Sequence, residues 1–288
     1  MRRYFVTGGT GFIGRAIVRK LLRDPDTERI TLLTRGNRKL AFADPFSKID
    51  LLIGEVTSVE LPQTGDYTDC IHAAGDANDL MQPHPFHYYF TLVEGTRRVI
   101  RWAYDNGIVN VLYLSSGAAV HHNTIYGKAK RIGEYLAREY PYIMVARLFS
   151  VIGEEIPLEG QYAIGNFIRQ AMTEKRIRSI GNAVRSYLYI DDVSEWLLAA
   201  LNSTTVGPYD IGGSESITIE QLANRVGALF NVPVEHVAFA KEQSNVYLPN
   251  IGPTMHYLGV KETVTLEESL RRVHAYVCNT NVEQGRMS

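Results

Sequence analysis

A short stretch near the start, Thr7-Gly8-Gly9-Thr10-Gly11-Phe12-Ile13-Gly14, limits the folds open to this chain more than any other. It follows the apolar run Tyr4-Phe5-Val6 and precedes a helical pattern in which Ile13, Ile17 and Leu21 recur every fourth residue. A strand, a glycine-rich turn and an amphipathic helix make the first unit of a dinucleotide-binding βαβ fold. Glycines let the backbone turn sharply and approach a pyrophosphate, whose charge the free N–H groups of a helix N-terminus favour. Gly14 is followed by Arg15-Ala16 and not by Lys-Ser or Lys-Thr, which excludes a Walker-type phosphate loop.

A chain of 288 residues is long enough for one large α/β domain, alone or with a smaller appendage. Its net charge of −1 gives no electrostatic reason to expect nucleic acid or an anionic membrane as a partner. Cys70 and Cys278 lie far apart and outside any metal-ligand spacing, so no metal site is expected and a reducing compartment fits. No apolar run approaches the ~20 residues that cross a bilayer. Met1-Arg2-Arg3 leads straight into a strand, without the apolar core of a signal peptide. The expected location is cytoplasmic.

The second strand, Arg29–Thr34, ends in Thr34-Arg35-Gly36-Asn37-Arg38-Lys39. Dinucleotide folds place the selector for the adenosine ribose here, and a carboxylate at this point would suit NAD. Cations suit a 2′-phosphate instead, because a guanidinium binds it through paired charge-assisted hydrogen bonds. Arg35 therefore favours NADP(H), with NAD(H) possible, against the plainer reading of a solvated basic loop. Leu51–Val56 and Asp69–Gly75 read as the third and fourth strands, the latter ending in small residues. His72, amid strand residues, reads as structural and not catalytic. Tyr89, Val93, Thr96, Ile100 and Ala103 mark the buried face of a long helix that Asn106-Gly107 ends.

The fifth strand, Val111–Leu114, delivers Ser115-Ser116-Gly117 at its carboxyl end, where ligands of doubly wound sheets sit. Ten residues after Ser116, Tyr126 and Lys130 stand four apart on a predicted helix and share a face. An ammonium beside a phenol favours the phenolate, lowering a pKa that starts at ~10. Such a tyrosine can pass a proton to or from a substrate oxygen while hydride moves at a nicotinamide, and a serine can hydrogen-bond the same oxygen.

Thr7-Gly8-x-x-Gly11-x-x-Gly14, Ser116 and Tyr126-x-x-x-Lys130 resemble the signature of the short-chain dehydrogenase/reductase superfamily. The chain is similar to its extended branch, the nucleotide-sugar epimerases, dehydratases and 4-keto reductases. His72-Ala73-Ala74, Val93-Glu94-Gly95-Thr96, the run Arg147–Gly153 and the run Arg185–Val193 match that branch's landmarks. The resemblance implies a Rossmann-type doubly wound parallel sheet over residues 1–150, to which a strand near 187–211 returns. A smaller α/β substrate-binding part would span 151–278, and 279–288 would be a flexible tail. Ser116, Tyr126 and Lys130 are then the catalytic set, with Tyr126 and Lys130 also touching the cofactor. Gly8, Gly11, Phe12, Ile13, Gly14, Arg35, Glu55, Val56, Ala73, Ala74 and Phe149 would contact the cofactor. Ser116, Ser150 and Arg185 would contact the substrate, Arg185 at the diphosphate. Homodimerisation through the helix ending near Gly107 and the one starting at Tyr126 is implied too.

Asp192-x-x-Glu195, Thr218-x-x-Gln221 and Thr265-x-x-Glu268 read as capping boxes opening three helices. Departures from the branch pattern bear on activity. The acid pair that dehydratases carry after the catalytic hydroxyl is Gly117-Ala118 here, which transfers no proton. Val120-His121-His122 replaces the usual Val-Tyr-Gly, which leaves the register open by one residue and Ser115 as a second choice for the hydroxyl. The stretch from Ser116 to Tyr126 is shorter than in the epimerases. Leu92 and Ser150 stand where asparagines are expected. The reading that fits best is NADPH-dependent reduction of a nucleotide-linked 4-keto-6-deoxyhexose. The alternatives are an NAD-dependent epimerase, a 4,6-dehydratase, or a cofactor-binding regulator without chemistry.

Overall fold

A computed structural model describes residues 1–36, 47–63, 66–75, 84–160, 162–237 and 245–285. The first half contains β1 (Arg2–Thr7), α1 (Phe12–Arg23), β2 (Thr27–Thr34), β3 (Ile49–Ile53), β4 (Asp69–His72), α2 (Pro85–Asp105), β5 (Asn110–Ser116), α3 (Ala118–His121), α4 (Ile125–Arg138) and β6 (Ile143–Leu148). The second half contains β7 (Ser150–Ile152), α5 (Ala163–Thr173), β8 (Ile177–Ile180), β9 (Val184–Tyr189), α6 (Ile190–Leu201) and β10 (Tyr209–Ile211). After these come β11 (Ser216–Thr218), α7 (Ile219–Phe230), β12 (Val234–Val237), β13 (Val246–Tyr247), α8 (Ile251–Leu258) and α9 (Leu266–Gly285).

Two compact units result, one of 1–148, 194–211 and 252–260, the other of 149–193, 212–251 and 261–288. The first unit is built on a seven-stranded sheet in the order β10-β6-β5-β4-β1-β2-β3. Every pairing in it is parallel. Parallel strands covered on both faces read as continuous apolar runs, and Ile30, Leu32, Leu33 on β2 and Val111–Leu114 on β5 are all buried. The chain winds outward from β1 to β3, then returns to lay β4 beside β1. That reversal creates the crevice at the carboxyl ends of β1 and β4 where doubly wound sheets take their ligands. The architecture is the Rossmann-type sheet expected from the sequence.

The core beneath that crevice is aromatic. Phe5 packs at 4.4 Å from Trp102 and 5.6 Å from Tyr67, and the Trp102 indole N–H donates to the Pro62 carbonyl at 2.6 Å. The buried face of α2 contains the expected Thr96, Ile100 and Ala103, but it also takes in Tyr88, Leu92, Gly95, Val99 and Trp102 and leaves the expected Tyr89 and Val93 half-buried. Gly95 escapes that expectation, because a position without a side chain does not count toward an apolar pattern yet seats closely on Val56.

In the second unit β9 lies between β11 and β13 and also pairs with β7, while β8 and β12 form a separate parallel pair. Thr218 caps α7 with the full reciprocal box: Gln221 N–H donates to its Oγ1 at 3.1 Å and Thr218 N–H donates to Gln221 Oε1 at 3.0 Å. Thr265 accepts from Glu268 N–H at 3.2 Å. Asp192 corrects the third expectation. It lies inside α6, and its carboxylate accepts from Thr263 Oγ1, Thr263 N–H and Val264 N–H, so it holds a distant loop and not a helix end. Glu195 pairs instead with Lys20 of α1. The backbone of α9 stays helical to Gly285, past the point at Asn279 where a flexible tail was expected.

Candidate active site

The turn after β1 is shaped by contact. Gly8 has φ +72°, and a Cβ there would lie 2.5 Å from the Ala73 carbonyl carbon, so the turn rests on the backbone of Ala73-Ala74 at the end of β4. A Cβ on Gly14 would strike the Gly8 carbonyl, which is how α1 starts so close to the turn. Gly11 is the N-cap of α1, without a side-chain cap and with no acid in the first turn. A helix N-terminus of this kind has N–H groups and a partial positive charge to offer an anion. Phe12 and Ile13 open the helix half-buried. Glu55 is exposed in the turn after β3, and Val56 packs on Gly95.

Below the turn His72 is fully bonded. Its Nδ1 meets Thr7 Oγ1 at 2.7 Å and its Nε2 meets Thr96 Oγ1 at 3.0 Å, while Thr7 Oγ1 also accepts from Ala74 N–H at 3.2 Å. Burial first, and the Lys130 charge second, depress its pKa to about 3, so it is a neutral strut. The structural reading of His72 holds.

Lys130 is 4% exposed. Its ammonium donates to the Leu114 carbonyl of β5 at 2.8 Å and lies 5.1 Å from the Tyr113 ring centroid and 5.8 Å from that of Tyr126. Burial brings its pKa down to about 8, and Glu134 opposes that fall. Tyr126 is half-buried on the first turn of α4, where Thr124 caps the helix by accepting from Gly127 N–H at 3.1 Å. The two candidate chemical residues of α4 are thus gathered at the carboxyl end of β5.

The two serines differ in what holds them. Neighbouring strand residues face opposite sides of a sheet. Ser115 Oγ donates to the buried Glu134 Oε1 at 2.7 Å, whereas Ser116 Oγ accepts from Ala118 N–H at 3.2 Å as the chain leaves β5. Glu134 also accepts from Arg147 Nε at 2.8 Å and Nη2 at 2.6 Å, and Arg147 Nη1 lies 3.9 Å from Asp210 Oδ1. This buried polar cluster was missed in the sequence. Its one signal was the extension of the four-residue spacing from Tyr126 and Lys130 to Glu134. Apolar periodicity misleads on α4, because its buried positions are Gly127, Ala129, Lys130, Gly133, Glu134 and Ala137, while Tyr135 is exposed.

The remaining predicted residues belong to other elements. Arg35 is exposed just beyond β2 and makes no hydrogen bond or ion pair among the described residues; Asn37, Arg38 and Lys39 lie outside them. Phe149, Ser150 and Arg185 belong to the second unit. There Arg185 Nη1 donates to the Val184 and Asn245 carbonyls at 2.9 and 2.7 Å, and its guanidinium lies 5.3 Å from the Tyr247 ring. Phe149 packs on the same ring at 4.8 Å, and Ser150 pairs with Tyr187 between β7 and β9. A groove of about 480 Å³ beside α2, lined by Leu61, Arg97, Arg101 and Trp102, contains none of the predicted residues. Among the described residues there is no cluster of metal-ligating side chains and no helix long and apolar enough to cross a membrane.

The sequence model of the NAD dependent epimerase/dehydratase family matches residues 4–212, which span the glycine turn, β5, the Tyr126–Lys130 pair and β10. The chain belongs to that family. It is accordingly an enzyme of the extended short-chain dehydrogenase/reductase superfamily. UDP-glucuronic acid decarboxylase 6 of Arabidopsis thaliana is 26% identical over 302 residues, covering 93% of this chain and 86% of the relative. Among solved structures, UDP-glucose 4-epimerase from Thermotoga maritima, bound to UDP-glucose, superposes with a TM-score of 0.82 at 20% identity, covering 96% of this chain and 99% of that one. UDP-N-acetylglucosamine 4-epimerase from Methanobrevibacter ruminantium reaches 0.84 at 18% identity, covering 97% and 99%. These two likenesses carry the fold.

Proposed function

We propose that this family member reduces a nucleotide-linked 4-keto-6-deoxyhexose with NADPH. The observation that carries the proposal is the ammonium of Lys130 held 5.8 Å from the Tyr126 ring at the carboxyl end of β5. A dinucleotide fits the chain's own residues, since the glycines let the turn pack closely on the end of β4 and the α1 N-terminus, with no side-chain cap and no acid in its first turn, has N–H groups to offer a pyrophosphate. Gly8, Gly11, Phe12, Ile13 and Gly14 would hold its pyrophosphate and adenosine side, and Glu55, Val56, Ala73, Ala74 and Phe149 its remainder. Arg35 would hold the 2′-phosphate through paired charge-assisted bonds.

A reduced nicotinamide, when bound, supplies the hydride for the ketone carbon. Tyr126 gives its phenolic proton to the ketone oxygen. Lys130 favours the resulting phenolate by its charge. Ser116 donates a hydrogen bond to the same oxygen and orients the carbonyl; the commitment of Ser115 to Glu134 supports this choice between the two. Arg185, oriented by two backbone carbonyls, would meet the diphosphate, and Ser150 the substrate. Gly117 and Ala118 offer no group to move a proton, which argues against dehydration. We place the enzyme in the cytoplasm as a homodimer that binds neither nucleic acid nor membrane.

The NAD dependence in the family's description favours a second reading, an epimerase that oxidises and re-reduces one carbon on a retained NAD. Fluorescence titration with NADPH and NADH, followed by an NADPH-oxidation assay over a panel of nucleotide-linked 4-keto sugars, separates the two. The reductase predicts tighter NADPH binding and sugar-dependent oxidation. Tight NADH binding with negligible NADPH affinity would give the chain to the epimerase.

A further inference from the structure

We infer that Glu134 is a positioning residue for the chemistry proposed above, acting through Lys130 and fixed in place by Ser115 and Arg147. The inference rests on the Tyr126–Lys130 reading and extends it to the residues that hold the pair.

Glu134 is 4% exposed, and its carboxylate takes three hydrogen bonds of 2.6 to 2.8 Å from Ser115 and Arg147. Ser115 of β5 stands in register with Arg147 of β6, and Arg147 with Asp210 of β10. The two donors therefore stand side by side on neighbouring strands, with the Asp210 carboxylate beyond Arg147 on the third and the Glu134 carboxylate of the helix bonded to both donors. Tyr126, Lys130 and Glu134 follow at four-residue steps along one stripe of α4. Lys130 grips the Leu114 carbonyl, and Glu134 grips the side chain of the next residue, Ser115. A slip or rotation of α4 would break both grips at once. Gly133 permits the close approach, since a Cβ there would strike the Tyr113 hydroxyl.

A buried ion pair contributes little net stability compared with apolar packing of the same volume, but its directional bonds fix one geometry. Its charge has a further effect. The groups facing the Lys130 ammonium are the neutral His72 of β4, Tyr113 and the Leu114 carbonyl of β5, and Tyr126 and Glu134 of α4 itself. The α2 residues packed against this part of α4 include Tyr88 and Leu92, neither of them ionised at neutral pH. Glu134 is thus the one carboxylate acting on Lys130 among the described residues, and it opposes the loss of the ammonium to burial.

The test follows the titration of Lys130 by NMR in protein carrying isotope-labelled lysine, with the resonance assigned through Lys130→Arg. In Glu134→Gln, which keeps the shape and removes the charge, the midpoint is expected to fall by about one pH unit. The alkaline limb of kcat should move with it, while the Kd for NADPH stays within about twofold of wild type. Should Arg147, left without its partner, prevent folding, the double variant Glu134→Gln/Arg147→Met removes both charges and carries the same reading. An unmoved Lys130 midpoint in either folded variant overturns the inference. A midpoint that falls in an enzyme that reduces no 4-keto sugar supports the coupling and counts against the reductase reading alone.

Discussion

Two charged regions of the first unit contrast sharply. At the end of β5, Lys130, Glu134 and Ser115 are buried, each bonded to a partner on another element. At the end of β2, Arg35 is exposed and bonded to nothing among the described residues. The groups proposed to tune and position Tyr126 are over-determined by packing, so a change there disturbs the sheet as well as the chemistry. The residue proposed to choose the cofactor stands in solvent, where a change touches only its ligand.

That contrast can be broken most forcefully at Tyr126. Tyr126→Phe should lower kcat by roughly a hundredfold to ten-thousandfold while NADPH affinity barely changes, since proton transfer is lost and packing is kept. Full turnover in that variant would end the assignment. Glu134→Ala should lower unfolding free energy in urea by about 3 to 5 kcal/mol, because the half-buried Arg147 guanidinium loses its paired carboxylate. A loss under about 1 kcal/mol would show that the cluster is solvated and its bonds of little consequence.

Arg35→Ser should weaken NADPH binding by about 1.5 to 3 kcal/mol, tenfold to a hundredfold, leave NADH binding unchanged, and alter stability by less than about 0.5 kcal/mol. Equal losses for both cofactors would remove Arg35 from the selector role. The last effect, absent near neutral pH and developing only in acid, concerns His72. Its folded-state pKa of about 3 lies below the ordinary histidine value, so between that value and pH 3 the unfolded chain binds a proton that the folded chain refuses. Stability is then fully present above about pH 6.5 and falls as pH drops through that window, by up to ~1.4 kcal/mol per unit. Urea unfolding of His72→Gln at several pH values should show a shallower acid slope than wild type. An unchanged slope would mean that other groups set the acid limit.

Local signals carried far in this chain. A glycine turn between an apolar run and a helical period can pack in few ways, so the first βαβ unit was legible from Tyr4 to Thr34. Tyr126 and Lys130 were legible because helix geometry alone puts them on one face. The Ser115–Glu134–Arg147 row was not. Its members are 13 to 32 positions apart, and they meet only because β5, β6 and α4 are stacked. Asp192 misled for the same reason: a cap is a local pattern, whereas its partners Thr263 and Val264 are 71 and 72 residues away.

The sequence by itself determined the glycine turn between strand and helix and the spacing of the phenol and the amine, because each depends on backbone conformation over a few residues. The parallel sheet was expected from the family resemblance. Which serine is committed to a buried carboxylate, where the arginine beside it comes from, and how far the lysine is stripped of water were decided by the tertiary structure. Those outcomes depend on register between strands and on desolvation, which arise only when distant segments share one core.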